Sequence, residues 1–153
     1  MTHSLTLVTS PDPGIRADIL DGLRDFNSTV LFPGLEVENL AVVVRHHADG
    51  AVIGGLWGRT GLEWLTIELI FVPESLRGQG IARRIIAMAE EEALRRGCHS
   101  AWLETLNPDA LALYERLGYA RFGELTDFPA GRSRYFLRKR LKAEPSSVPA
   151  NPR

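Results

Sequence analysis

Between Val72 and Ile85 the sequence reads VPESLRGQGIARRI, with Arg77, Gly78, Gln79 and Gly80 packed just ahead of an apolar-periodic stretch. Glycines at 78 and 80 let the backbone come close to a ligand and turn several N–H groups toward one oxygen cluster. A helix beginning there adds the positive end of its dipole, which suits a pyrophosphate. A plain Gly-rich connection between strand and helix satisfies the same residues, so the turn alone does not decide. No Gly-Lys-Ser/Thr of a P-loop follows, and the six-residue spacing of the dinucleotide fingerprint is missing.

A second chemical candidate lies just upstream. In LEWLTIELIFV the odd positions Leu65, Ile67, Leu69 and Phe71 are uniformly apolar, and their alternation predicts that they face the main core. Trp64, Thr66, Glu68 and Ile70 then fall on the opposite face. A carboxylate in mid-strand among apolar neighbours is costly unless paired or wet, which puts Glu68 beside a cleft. An exposed glutamate or a salt bridge fits the pattern too.

The elements that must position these groups follow from periodicity and turn chemistry. SLTLV reads as a first strand, and Ile15, Ile19, Leu20, Leu23 and Phe26 predict an amphipathic helix over about 14–27. Pro33 and Gly34 leave a loop or a very short second helix after it. LAVVVRHH, AVIGGLWGR and LEWLTIELIFV predict an antiparallel meander, with tight turns at Asp49-Gly50 and Thr60-Gly61. A helix from about Gly80 to Arg96 follows, capped by Gly97. The strand SAWLETL, a short helix opened at Asn107 or Pro108 and stopped by Gly118, and the strands YARFGEL and SRYFLRKRL complete the domain. Residues 142–153, rich in Pro, Ser and Ala, read as a disordered tail. The fold class is α/β, a mixed α+β sheet flanked by helices.

Composition narrows the functions. At 153 residues the chain suits one domain, and a net charge of -1 argues against a general nucleic-acid or membrane-surface binder. One cysteine, Cys98, permits no intramolecular disulfide and reads as a small packed residue in a reducing compartment. The first residues lack a basic region and an apolar core, and no apolar run is long enough for a membrane span, so a cytoplasmic location is expected. His46 and His47 beside Asp49-Gly50, with His3 and His99 elsewhere, show no ligand spacing, so no metal is expected.

VPESLRGQGIA resembles the acetyl-CoA signature of the GNAT acetyltransferase superfamily, Gln/Arg-x-x-Gly-x-Gly/Ala, here at Arg77, Gly80 and Ala82. NPDALALYERLGY, Asn107 to Tyr119, resembles that family's later helix motif, in the right order and on the right kind of element. The resemblance covers about residues 4–141 and is strongest from 65 to 120. It implies a single N-acetyltransferase domain over 1–141. The implied fold is a mostly antiparallel sheet of six to seven strands, splayed at the cofactor site, with about three to four flanking helices.

The resemblance also implies roles. Ile70, Phe71 and Val72 would pair with the pantetheine arm of acetyl-CoA. Arg77, Gly78, Gln79, Gly80, Ile81 and Ala82 would cradle the pyrophosphate, Asn107 would touch the arm, and Tyr114 would lie near the sulfur as general acid. The implied reaction moves an acetyl group to a primary amine of a small molecule or peptide, with Glu68 as the favoured base. Glu104 competes for that role. It stands only three residues before Asn107, about two fewer than the family pattern, a departure that touches both residues. Trp57 and Trp64 suit an acceptor pocket or the core equally. The loop Thr126–Arg134 offers Asp127 and Phe128 to an amine, Arg132 and Arg134 to an anion, or only a turn. A catalytically silent acyl-CoA sensor on the same fold and a nucleotide binder unrelated to CoA are the alternatives, and a homodimer stays open.

Overall fold

The computed structural model describes residues 2–141, and the expected tail, 142–153, lies outside the described residues. Two compact units divide the chain after Glu36. In the first, Asp12 caps helix α1 (Pro13–Phe26) by accepting from Gly14 N at 2.7 Å, and Pro13 needs no donor in that first turn. The helix runs into a π-helical turn, Asn27–Leu31, so of the two expected alternatives, a loop or a very short second helix, the helix forms. Ser4 to Val8 forms no strand, contrary to the alternation reading. Alternation marks a face but supplies no ladder, and no described strand pairs with this stretch.

The second unit holds strands β1 (Glu38–Arg45), β2 (Val52–Gly61), β3 (Trp64–Phe71), β4 (Ser100–Thr105), β5 (Ala120–Thr126) and β6 (Ser133–Arg140). Helix α2 (Ile81–Arg95) lies between β3 and β4 in the chain, and α3 (Pro108–Arg116) between β4 and β5. The described sheet has six strands in the order β1-β2-β3-β4-β6-β5, and β3 with β4 is its parallel pair. Apolar side chains of β1 to β4 and β6 pack with Ile85, Ile86, Ala89 and Ala93 of α2 and Leu111 and Tyr114 of α3 in one core. Cys98 is buried in it, as expected.

Both predicted hairpins form, with different turns. The β1–β2 connection closes with His46 N donating to Ala51 O at 2.9 Å, so Asp49-Gly50 is part of a longer loop rather than a two-residue turn. Asp49 holds that loop by accepting from Ala51 N and contacting His46. The β2–β3 turn sits at Leu62-Glu63, with φ of 51° and 62°, because Gly61 still pairs with Trp64. Two non-glycine residues therefore take the left-handed conformation of a primed turn, which propensity alone assigns to Thr60-Gly61.

A bulge in β3 overturns one sequence expectation. Trp57 pairs with Leu69 but Gly58 pairs with Ile67, so Glu68 is the extra residue. Beyond it the alternation changes phase. Leu69 is 67% exposed and Phe71 59%, whereas Ile70 and Val72 pack against the core. Leu65 and Ile67, before the bulge, are core residues as predicted.

Two polar anchors fix α2. Glu90 receives the Tyr119 hydroxyl at 2.9 Å and Lys139 Nζ at 2.7 Å, tying the helix to β6 and to the residue that precedes β5. Arg96, just past the helix end, donates to Glu92 at 2.6 Å and to Asn39 O and Thr60 Oγ1 at 3.2 Å. Hydrogen bonds from Arg95 and Arg96 hold the Glu92 carboxyl down at about 2, well below the usual carboxylate range. Leu65, at 0% exposure, tests the core: Leu65→Ala should cost about 2–5 kcal/mol, read as a lower denaturant midpoint at unchanged slope.

Candidate active site

β3 and β4 pair only from Trp64–Ser100 to Thr66–Trp102. Past those residues β4 stays with β6 through Thr105, and β3 stays with β2 through Phe71. The sheet is thus splayed, and Ile70, Phe71 and Val72 border the gap with no β4 partner. A strand edge of this kind offers main-chain donors and acceptors to an extended ligand. The Val72 carbonyl already accepts from Arg77 Nε at 3.1 Å.

At the wide end of the gap stands the Gly-rich turn. Gly78 and Gly80 have φ of 72° and 74°, and a Cβ built at either meets nothing within 4 Å. Backbone conformation, not crowding, requires glycine there, and the space above the turn is open. Gly80 is the N-cap of α2 and no side chain caps the helix. Its first N–H groups are therefore free to meet an anion. The first backbone bond of the helix runs from Arg84 N to Gly80 O.

A cleft of about 390 Å³ opens at this point. Of the residues expected around a pyrophosphate, Arg77, Gly78, Gly80, Ile81 and Ala82 line it together, joined by Val72, which was expected at the pantetheine arm. Gln79 does not, and its amide nitrogen donates to Ser75 O at 3.0 Å to close the turn. The opposite wall is Asp109, Leu113 and Arg116 of α3, which sequence reasoning overlooked, along with Leu76 and Arg83. Their spacing of four and three residues puts the α3 residues on one helix face, a signal that was available. Three arginines against one aspartate leave the cleft cationic.

Asn107 caps α3, its side-chain oxygen accepting from Asp109 N at 2.9 Å, so that oxygen is engaged within the chain. Tyr114 is 7% exposed, edge-on to Tyr119 with ring centroids 6.2 Å apart. Burial pushes its phenol up from the ordinary tyrosine value, so it keeps its proton at neutral pH.

Both candidate bases are paired with arginine. Glu68 Oε1 lies 3.1 Å from Arg59 Nε, which is the salt-bridge reading of that residue. Glu104 Oε1 accepts from Arg134 Nη1 at 2.8 Å. Glu104 follows the core residue Leu103 on β4 and thus points to the sheet face away from α2. Arg134 also stacks 4.4 Å from the Phe128 ring centroid, and Asp127 accepts from Gly131 N at 3.2 Å. The loop therefore spends Asp127 and Phe128 on its own structure. Among the described residues no group of three His, Cys, Asp or Glu is placed to hold a metal ion, and no helix is long and apolar enough to cross a membrane.

The family model for the acetyltransferase (GNAT) family matches residues 17–119, a span that includes the turn and the whole Asn107–Tyr119 motif. An acetyltransferase of Agrobacterium fabrum (strain C58) is 49% identical over 103 residues, 67% of this chain and 74% of that protein. The chain belongs to the GNAT acetyltransferase family. Blasticidin-S acetyltransferase of Streptomyces morookaense is 36% identical over 112 residues, 71% of this chain and 82% of its own length. A crystal structure from Agrobacterium tumefaciens, described as an acetyltransferase, has a TM-score of 0.85 at 40% identity over 90% of this chain and 99% of that one. The cationic turn and the splayed strands are thus parts of a GNAT fold. In this GNAT chain Gly80→Ala meets no clash but must hold a positive φ. It should cost about 1–2 kcal/mol and weaken CoA at least tenfold, measured by thermal denaturation and titration calorimetry.

Proposed function

We propose that the chain is an acetyl-CoA-dependent N-acetyltransferase that acetylates a primary amine of a small molecule or peptide. The observation that carries this reading is the uncapped, glycine-bracketed start of α2 facing a cationic cleft where β3 and β4 part. Those residues fit a pyrophosphate, and the unpaired edge of β3 fits an extended amide-bearing arm. Arg77, Gly78, Gly80, Ile81 and Ala82 hold the phosphates, with Gln79 bracing the turn, and Ile70, Phe71 and Val72 offer backbone to the arm. The relative named for blasticidin S supports a small-molecule acceptor.

Acetyl-CoA supplies the activated thioester. Glu68 takes the proton the amine must lose to attack the carbonyl carbon, and Tyr114 gives its proton to the departing thiolate. A buried phenol suits the second task because it is still protonated at the pH where the amine is freed. Glu104 is the competing base, and Asn107 orders the start of α3 beside the arm. One observation favours a second reading, a silent acyl-CoA sensor: each carboxylate is engaged by a guanidinium.

Purified protein with acetyl-CoA and a panel of primary amines should release free CoA, whereas tight CoA binding without turnover on any amine would leave only the sensor. Tyr114→Phe should lower kcat about 10²-fold with CoA affinity unchanged, and Glu68→Gln should lower it similarly, more than Glu104→Gln. Because the Tyr114 pKa is raised, its loss of a proton sets no descending limb below about pH 10, which a pH profile of kcat checks.

A further inference from the structure

The sheet face turned away from α2 carries a second cleft, of about 480 Å³. Its walls are Trp64 of β3, Trp102 of β4, Phe122 of β5, and Phe136 and Arg138 of β6. Trp102 lies between the core residues Ala101 and Leu103, and Phe136 and Arg138 flank the core residue Leu137. Alternation therefore sends all three to the far face. Phe122 is the extra residue of a bulge between Arg121 and Gly123, a device that re-aims a side chain.

The aromatic walls are held in place. Trp102 Nε1 donates to Thr66 Oγ1 at 2.9 Å, Trp64 stands edge-on to His99 at 5.7 Å, and the Phe122 and Phe136 centroids are 6.2 Å apart. Only one wall residue is charged. Arg138 has no carboxylate in ion-pair reach among the described residues, and its guanidinium lies 5.9 Å from the Phe122 centroid. By contrast Arg59, Arg95, Arg96, Arg121 and Arg134 each meet a glutamate. A neighbouring cleft of about 380 Å³ shares Trp64 and Arg138 with it.

We propose that this cleft binds a planar aromatic or heteroaromatic small molecule that carries a negative charge. The ring lies among Trp64, Trp102, Phe122 and Phe136, and the anion meets Arg138. The volume falls in the range of small-ligand sites, and a concave aromatic wall with one convergent charge fixes orientation. Stacking selects flat rings over aliphatic bodies of equal size. The unpaired guanidinium selects anions and repels amines. The site is separate from the phosphate turn and does not depend on acetyl transfer.

The test uses the full chain and 2-naphthoate, followed by calorimetry and by quenching of tryptophan fluorescence. Binding at one per chain is expected, unaffected by saturating CoA. Arg138→Gln and Phe122→Ala, both changes of exposed or partly exposed side chains, should each weaken it about tenfold or more while leaving CoA affinity unchanged. Cyclohexanecarboxylate and 2-naphthylmethylamine should bind at least tenfold more weakly than 2-naphthoate. Equal affinity in Arg138→Gln, equal binding of the aliphatic acid, or displacement by CoA overturns the proposal. So does sedimentation showing a dimer that excludes 2-naphthoate and is broken by Phe122→Ala, since the face would then belong to a second copy of the chain.

Discussion

Three residue pairs join β3 to β4, and the rest of the site depends on their ending at Thr66–Trp102. Two forces pull the strands apart beyond that point: β3 remains bonded to β2, while β4 remains bonded to β6. The separation leaves an unpaired strand edge inside the sheet, where a buried polar backbone group would normally be satisfied. Such an edge is costly unless water or a ligand completes it. An extended ligand with its own amides would meet that requirement.

The Glu68 bulge belongs to the same constraint. One added residue in β3 shifts the phase of the strand as it leaves β4. Ile70 and Val72 then turn to the core, and Leu69 and Phe71 turn out. A strand without the bulge would bury Phe71 and expose Ile70. The bulge therefore decides which side chains border the gap and places a carboxylate at the point of departure.

Electrostatics divide the molecule by region. At the start of α2 the positive dipole end, Arg77, Arg83 and Arg116 outweigh Asp109. On the two strands that border the gap, Glu68 and Glu104 are each matched by an arginine. The anchors of α2 allow this arrangement to persist. Glu90 holds the helix to β6, and Arg96 holds its far end to β1 and β2, so the N-terminal N–H groups keep their aim. A helix end that rocked would lose the fixed direction of those N–H groups.

The residues themselves determined much of this. Gly78 and Gly80 ahead of an apolar helix marked a tight turn at the helix start, because glycine takes the positive φ found at both without steric cost. Asn107-Pro108 and Gly118 bounded α3, and periodicity bounded α2 within a residue, since caps and helical spacing are local properties. Tertiary structure decided what depends on partners. Ser4 to Val8 alternates but has no ladder, the β3 phase turns on register with β2, and the β2–β3 turn moved to Leu62-Glu63 because Gly61 kept its partner. Arg116 entered the cleft, and Glu68 and Glu104 acquired Arg59 and Arg134, through contacts between residues distant in sequence. Local sequence fixes conformation. Which backbone groups and charges go unpaired is set only when the strands and helices meet.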